Sequence, residues 1–244
     1  MAFEIAVSSS PGWHSRGYLP HWEAGENAQA ITFRMDDSLP SSLRQRWGEE
    51  LKGLTEDERS NERRKRIERA LDSGHGSGAL ASTAIGELVE NALLYFDGAR
   101  YRLIGWCIMP NHVHVLASPI AGYTLSRIVH SWKSYTSKKA NALLHRSGTF
   151  WSTEYFDRVV RDAAHHANVV DYIVMNPVKA GLCGRPDEWR FSSAWRGRAL
   201  KHNRAGGTLA LPGQPPRFRH RAIRRSAMSA SLRFQTYFLI SHRS

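Results

Sequence analysis

The alternation of apolar and polar positions is strongest over residues 101–118, where it predicts two strands joined by a tight turn at Pro110-Asn111. In the second strand, His112 and His114 alternate with valines. Successive strand side chains point to opposite faces of a sheet, so both imidazoles leave one face and the valines leave the other. Such a pair is half of a divalent-metal site, but taken alone it is more often a pair of part-buried sheet histidines.

The rest of the pattern predicts helices and two further strands around this pair. The assignments rest on amphipathic helical periodicity, on a Thr55–Glu58 capping box and on β-prone runs. Asn176-Pro177 is expected to end the last helix, because the residue before a proline is disfavoured in helical conformation. The predicted helices are 41–52, 58–72 after the capping box, 83–96, 125–144 and 163–175. The further strands are 30–35 and a last strand or edge segment made of 150–151 and 155–160.

The last predicted helix offers partners for the histidines. Tyr172 and Asn176 are four residues apart, so on a helix they are neighbours, with about 5–6 Å between their Cβ atoms. Asn176 has an amide oxygen that can complete a metal site, and Tyr172 has a phenol oxygen that can act as a nucleophile. The structural alternative makes Tyr172 a core aromatic and Asn176 a helix C-terminal residue, and it is the ordinary interpretation of either residue alone.

Charge and composition divide the 244-residue chain into three parts. The net charge is +12, but residues 197–244 hold ten Lys and Arg and no acid, which leaves 24 basic and 22 acidic residues elsewhere. We predict an irregular lead-in over 1–29, one domain over 30–196, and a basic, largely disordered tail over 197–244. The tail is either an electrostatic arm for nucleic acid or an end with no selected role, and these alternatives stay open.

The chain has no feature of a secreted or membrane protein. Its two cysteines lack metal-ligand spacing and suit a reducing compartment. It has no signal-peptide pattern and no apolar run long enough to cross a bilayer. We therefore expect a cytoplasmic, nucleoid-associated protein with a polyanionic partner and no membrane contact.

Three separated stretches resemble the REP-associated tyrosine transposases, which belong to the HUH endonucleases with one catalytic tyrosine. They are PNHVHVL at 110–116, FWSTEYFDRVVRD at 150–162 and VVDYIVMNPVKAGL at 169–182. The resemblance extends over about residues 17–195, with GYLPHW and ITFRMDDSLP similar to the family's opening. The tail has no counterpart.

The resemblance implies a role for each candidate residue. His112 and His114 match the His-hydrophobic-His motif, Tyr172 matches the catalytic tyrosine and Asn176 matches the third metal ligand. It implies a Mg²⁺- or Mn²⁺-dependent single-stranded DNA nuclease and strand transferase that acts through a 5′-phosphotyrosine. It also implies an α+β fold with a central antiparallel sheet like those of ferredoxin and RRM domains, in which the 41–74 helices are an insertion.

The implied partner is single-stranded DNA folded into REP-like hairpins. Lys133, Lys138, Arg161 and Lys179 are the candidates for DNA backbone contacts, and His165 and His166 are candidates for the base that activates the tyrosine. The oligomeric state is open, with a homodimer as one option. Two other functions also remain open: an HUH nickase of the replication-initiator type, and a non-catalytic nucleic-acid-binding protein derived from a transposase.

Overall fold

The chain is described here by a computed structural model, which covers residues 25–197 in full and residues 12–15 and 20–23 by their backbone. The predicted tail, beyond Gly197, lies outside the described residues, and its predicted disorder is therefore untested. No helix in the described ranges combines the length and the apolar character that crossing a membrane requires.

The described residues form six strands, five α-helices and three short 3-10 helices. The strands are β1 (Gly12–Ser15), β2 (Pro20–Glu23), β3 (Gln29–Met35), β4 (Tyr101–Ile108), β5 (His112–Pro119) and β6 (Trp151–Val159). The helices are α1 (Ser41–Glu50), α2 (Glu56–Asp72), α3 (Thr83–Tyr95), α4 (Leu125–Leu143) and α5 (Ala163–Lys179). The 3-10 helices are Asp36–Ser38, Ala79–Ala81 and Pro186–Glu188.

The main sheet has four strands in the order β4-β5-β3-β6, and every neighbouring pair is antiparallel. In chain order its strands alternate with helices as β3-α3-β4-β5-α4-β6, which is the ferredoxin-like arrangement. The predicted α+β class is confirmed. The helices α1 and α2 form the predicted insertion between β3 and α3, and the Thr55–Glu58 capping box opens α2.

The two faces of this sheet bury different partners. Val113, Val115 and Phe33 lie in one cluster with apolar residues of α3 and α4, which form the main core. On the opposite face, Leu116 packs against Ile173 of α5. The α1–α2 hairpin covers the rest of that face through a third cluster. The face that carries both histidines is therefore covered by α5 and by the insertion.

The last helix continues past its proline, so the predicted end at Asn176-Pro177 is wrong. α5 runs to Lys179. Beyond Pro177, the Leu182 amide donates to the Pro177 carbonyl at 2.8 Å, and the Gly181 amide donates to Val178 at 3.0 Å. Gly181 has φ +70°, which suits the left-handed residue of this Schellman ending. Pro177 lies in the last turn of α5, and the amides of Gly181 and Leu182 donate to carbonyls of that turn.

The predicted irregular lead-in contains the hairpin β1–β2, with Gly12 paired to Glu23 and Ser15 to Pro20. Four-residue strands are too short for their alternation to stand out from the sequence. The last strand is continuous from Trp151 to Val159, so it also includes residues 152–154 between its two predicted pieces.

The segment after α5 returns to the free edge of β4. The Ile108 amide donates to the Phe191 carbonyl, and the Ser193 amide donates to the Trp106 carbonyl, both at 2.9 Å. The Phe191 ring lies against Gly86 of α3, where a Cβ would come within 2.6 Å of two ring carbons. Residues 191–193 therefore close the edge of the sheet, and the glycine makes room for them.

Glu90 of α3 ties this segment to the core. Its carboxylate is buried and accepts hydrogen bonds from Arg196 at 3.0 and 2.8 Å and from Arg190 at 3.3 Å. The indole of Trp106 on β4 donates to the same carboxylate at 3.3 Å. A buried carboxylate is costly unless it is paired in this way, so the C-terminal segment is part of the folded domain.

We expect Gly86→Ala to lower the free energy of unfolding by about 1–3 kcal/mol, because the new methyl group overpacks against Phe191. Gly48→Ala is the matched control, since a Cβ there has nothing within 4 Å. It should be neutral or stabilising by up to about 1 kcal/mol, because alanine favours a helix over glycine. Urea denaturation measures both, and equal effects would contradict the packing described for Phe191.

Candidate functional site

The two histidines of β5 converge on one point. His112 and His114 are buried, and their Nε2 atoms lie 2.9 Å apart. Their rings meet edge to face, with centroids 4.6 Å apart. The strand period places both rings on the same face, and the pleat brings their outer nitrogens together.

Asn111 determines which nitrogen of His112 carries the proton. The Asn111 amide nitrogen donates to the carbonyls of Leu71 at 3.2 Å and His75 at 2.9 Å. Its Oδ1 therefore faces Nδ1 of His112, 2.7 Å away, and can only accept. In the neutral ring Nδ1 is the donor, and Nε2 keeps its lone pair directed at His114.

Thr32 is the hydrogen-bond partner of Nδ1 of His114, as Asn111 is of Nδ1 of His112. The register pairs Thr32 of β3 with His114, and the Thr32 hydroxyl lies 2.8 Å from Nδ1. Since Nε2 of His112 is an acceptor, His114 donates to it from Nε2, and its Nδ1 accepts from Thr32. A hydroxyl can donate or accept, so Thr32 also suits the other tautomer, in which Nε2 of His114 is an acceptor too.

Both histidines are held neutral. Burial lowers the pKa of His114 to about 4. Burial, and then the neighbouring charge of His114, holds the pKa of His112 well below its usual value. Two neutral imidazoles whose outer nitrogens converge, and whose inner nitrogens face oxygens, fit a divalent metal ion.

Tyr172 lies beside the histidines on α5. Its ring meets His114 edge to face with centroids 5.4 Å apart, and the side chain is 38% exposed. The Lys179 ammonium lies 5.0 Å from the ring centroid. Tyr172 is thus packed against the histidine pair and is still open to solvent, which suits a group that meets a large substrate.

The Tyr172 phenol is strongly held in its neutral form. Its pKa is raised to about 12, first by burial and then by the charges of Glu68 and Asp72 on α2. A hydrogen bond with the Asn176 side chain works in the opposite direction. The acidic side of α2 therefore faces this tyrosine, and proton removal from the phenol has to be assisted.

Asn176 is buried one turn beyond Tyr172, as its spacing predicts. Its Nδ2 donates to the Tyr172 carbonyl at 2.8 Å, which orients the amide. Within the described residues, no cluster of three or more His, Cys, Asp and Glu could hold a metal. The histidine pair would therefore need a neutral ligand, and Asn176 is the predicted one.

The four candidates for DNA contact lie in different places. Lys179 is at the site, beside Tyr172. Lys133 and Lys138 belong to α4, which packs against the other face of the sheet. The Lys133 ammonium donates to the Ser152 and Thr153 carbonyls at 2.7 and 2.8 Å, and Arg161 is exposed before α5. Contact of these residues with DNA stays a prediction.

The candidate bases His165 and His166 are in the first turn of α5. The seven residues from His165 to Tyr172 correspond to about 10 Å along a helix axis. His165 also accepts a hydrogen bond from the Arg161 amide at 3.3 Å. The ionisable groups whose charges act on the phenol are Glu68, Asp72 and Arg64, all on α2.

Comparison with known proteins adds similarities to a family model, to curated relatives and to a solved structure. Residues 84–176 match the family model described as Transposase IS200 like, and this region contains both histidines, Tyr172 and Asn176. A REP-associated tyrosine transposase of Escherichia coli (strain K12) is 24% identical over 113 residues, which cover 45% of this chain and 65% of that protein. A Haemophilus influenzae protein named for the same family is 27% identical over 107 residues, covering 39% and 60%.

The chain thus spans less than two thirds of the length of these curated relatives. Among solved structures, a REP-associated tyrosine transposase bound to a REP hairpin is similar at 15% identity. That match covers 82% of this chain and 93% of the other, with a TM-score of 0.49.

The neutral histidines predict how stability depends on pH. Their folded-state pKa values lie below the unfolded value of about 6.5, so the unfolded chain binds more protons as the pH falls. The free energy of unfolding should decrease from about pH 6.5 toward pH 4, by up to about 1.4 kcal/mol per pH unit for each histidine. Urea denaturation across this range measures it.

His114→Gln should reduce that slope, whereas His130→Gln, at an exposed position on α4, should not. If the two variants keep the same slope as the unmodified protein, His114 is not held neutral by burial.

Proposed function

This chain is a relative of the REP-associated tyrosine transposases, and we propose that it cleaves and rejoins single-stranded DNA through a tyrosine-linked intermediate. One observation carries the proposal. The Nε2 atoms of His112 and His114 converge 2.9 Å apart on a buried face, with the Tyr172 ring against His114 and Asn176 one turn later. These residues were predicted from separated parts of the sequence, and the contact of Tyr172 with His114 supports their proposed roles.

In the proposed reaction the Tyr172 oxygen attacks the phosphorus of a phosphodiester. A bond forms between the phenol oxygen and phosphorus while the bond from phosphorus to the 3′ oxygen breaks. The phenol gives up its proton, and the 3′ oxygen gains one to become a hydroxyl. The product is a 5′-phosphotyrosine, which keeps the phosphodiester bond energy, so a second 3′-hydroxyl can reverse the step and join strands.

His112, His114 and Asn176 would hold the Mg²⁺ or Mn²⁺ that this chemistry calls for. When bound, the cation would neutralise the charge that grows on the phosphoryl oxygens. Holding it requires both Nε2 atoms to be acceptors, so His114 would carry its proton on Nδ1 and donate to Thr32. Imidazoles also accept Zn²⁺, and the identity of the metal is therefore a matter for titration.

The surroundings of Tyr172 supply the remaining functions. The exposed Lys179, 5.0 Å from the ring centroid, adds positive charge where the phosphate would lie. Glu68 and Asp72 act on the phenol through their charges, and either carboxylate is a candidate to take its proton. The proposed substrate is a REP-like hairpin with a single-stranded flank, which the similarity to the REP-associated tyrosine transposases suggests.

The nucleophile is tested with hairpin oligonucleotides whose flanks are randomised, incubated with Mn²⁺. We expect a covalent protein–DNA adduct that mass spectrometry maps to Tyr172. Tyr172→Phe should abolish the adduct while hairpin binding stays within a few-fold, because the ring is kept. Tyr135→Phe, at an exposed tyrosine on α4, is the matched control and should cleave normally.

An adduct that maps to Tyr155, or cleavage by Tyr172→Phe, would overturn the assignment. Transfer of the bound strand to a second 3′-hydroxyl separates a transposase from a nickase that only opens strands. Binding of hairpins without any adduct would instead favour the non-catalytic function.

The ligand set is tested by metal titration of cleavage. His112→Ala and His114→Ala should raise the Mn²⁺ concentration for half-maximal cleavage most, and Asn176→Ala should raise it less, because an amide is the weaker ligand. His130→Ala is the matched exposed control and should not change it. If Asn176→Ala responds to limiting Mn²⁺ like the unmodified protein, the third ligand lies elsewhere.

A further inference from the structure

A positively charged site, separate from the histidine pair, lies on the same face of the sheet under the α1–α2 hairpin. A cavity of about 80 Å³ opens there, and four arginines line it. They come from β3, α1 and α2, and are Arg34, Arg44, Arg59 and Arg63. The rest of the wall is mainly apolar and includes Trp47, Leu51 and Ile67. Guanidinium groups gathered around one small space repel one another, which favours an anion between them.

Three of these arginines have partners within the protein, and Arg63 is one of them. Arg59 donates to the carbonyls of Leu51 at 3.2 Å and Leu54 at 2.9 Å and to the Glu56 carboxylate at 3.0 Å, so it holds the turn between α1 and α2. Arg34 is buried, and its Nη1 donates to Met35 and Ser38 at 3.3 Å each. These contacts fix two of the charges in the wall before any ligand arrives.

Arg44 and Arg63 complete the cavity from the side of the helices. Arg44 is exposed on α1, and none of the described residues joins its side chain by a hydrogen bond or an ion pair. Arg63 lies half-buried one turn after Arg59 on α2. An arginine presents a planar fork of donors that matches phosphate oxygens, so this pair is suited to close on a phosphate.

The cavity remains positive despite nearby acids. The pKa of Arg34 is lowered to about 10, first by burial and then by the charges of Arg44 and Arg63, while Asp36 and Glu154 oppose this. The arginines therefore act on one another as like charges in a poorly hydrated place. Together with Glu56, which pairs with Arg59, these acids place three carboxylates near four guanidinium groups, which leaves an excess of positive charge.

The position of Arg34 relates this cavity to the histidines. In the β3–β5 ladder Arg34 is paired directly with His112. Residues in such a pair have Cβ atoms about 4.5–5.5 Å apart on the same face. A strand whose reacting phosphate lies at the histidine pair would therefore pass its next phosphates over the α1–α2 side of the sheet, where the arginines are.

We propose that the arginine cavity binds a backbone phosphate of the single-stranded DNA, next to the phosphate that reacts at Tyr172. The inference rests on the proposed function for the identity of the strand. The site contacts the phosphate and no base, so it contributes affinity without sequence preference. It also gives the α1–α2 insertion a role in substrate binding, in addition to covering the sheet.

The test measures binding without cleavage, in a Tyr172→Phe background with EDTA present. Fluorescence anisotropy of a labelled oligothymidylate gives the dissociation constant over a range of salt concentrations. We expect the Arg44→Ala, Arg63→Ala double variant to bind at least about tenfold more weakly. The slope of log affinity against log salt should fall by about 0.7 for each lost phosphate contact.

Arg46→Ala is the matched control, because Arg46 is an exposed arginine on the same helix that pairs with Glu50 and does not line the cavity. It should keep the slope of the parent. Arg44→Lys should keep the slope but bind more weakly, since it retains the charge and loses the fork. Circular dichroism melts establish that the variants are folded, and Arg44→Ala alone serves if the double variant is not.

An unchanged slope in folded Arg44→Ala would overturn the inference, and so would an equal change in Arg46→Ala. Added inorganic phosphate, at matched ionic strength, should weaken binding by the parent more than binding by the double variant, and equal effects would also overturn it. A protein that cleaves hairpins but shows no slope change refutes only this subsite. A protein that shows the slope change but forms no adduct refutes only the chemistry.

Discussion

The hydrogen bonds of Asn111 are the interaction on which the site depends. Its side chain donates to the end of α2 and to the loop that follows it, and accepts from His112. Its backbone carbonyl accepts from the Met35 amide at 2.9 Å, at the end of β3. One buried amide thus joins the insertion to the sheet and sets the tautomer of a histidine. The site is therefore coupled to the packing of the α1–α2 hairpin.

The two faces of the sheet have separate tasks. One face buries aromatic and aliphatic side chains under α3 and α4 and supplies most of the core. The other face keeps polar groups that are buried but fully partnered, with His112, His114 and Thr32 joined in one chain of hydrogen bonds. Burial holds the imidazoles neutral, and neutral imidazoles are the form that binds a metal. The partly exposed Tyr172 lies at the border between this face and solvent.

The insertion is more than a cover for the sheet. Glu68 and Asp72 of α2 act on Tyr172, whereas Arg63, earlier on the same helix, lines the arginine cavity. Acids therefore lie near the proposed nucleophile, where a proton has to leave. The arginines of the cavity lie where further phosphates of the strand would be held.

Much of the fold was predictable from sequence, because strands and helices follow from local periodicity. The α+β class, the helical insertion, the capping box at Thr55 and the strand with both histidines on one face were all predicted correctly. Tyr172 and Asn176 were assigned to one helical face, and only the tertiary structure shows that the Tyr172 ring contacts His114. Their chemical roles stay proposals, since geometry alone does not measure a reaction.

Tertiary structure decided what depends on contacts between distant segments. The tautomer of His112 follows from carbonyls 36 and 40 residues before Asn111. The mixed charges of α2 gave no periodic signal, so only packing showed that two acids face Tyr172. Likewise, only packing showed that the Lys133 ammonium donates to carbonyls of β6. Periodicity shows which face a side chain occupies, whereas its partners, pKa and accessibility are set by the segments that fold against that face.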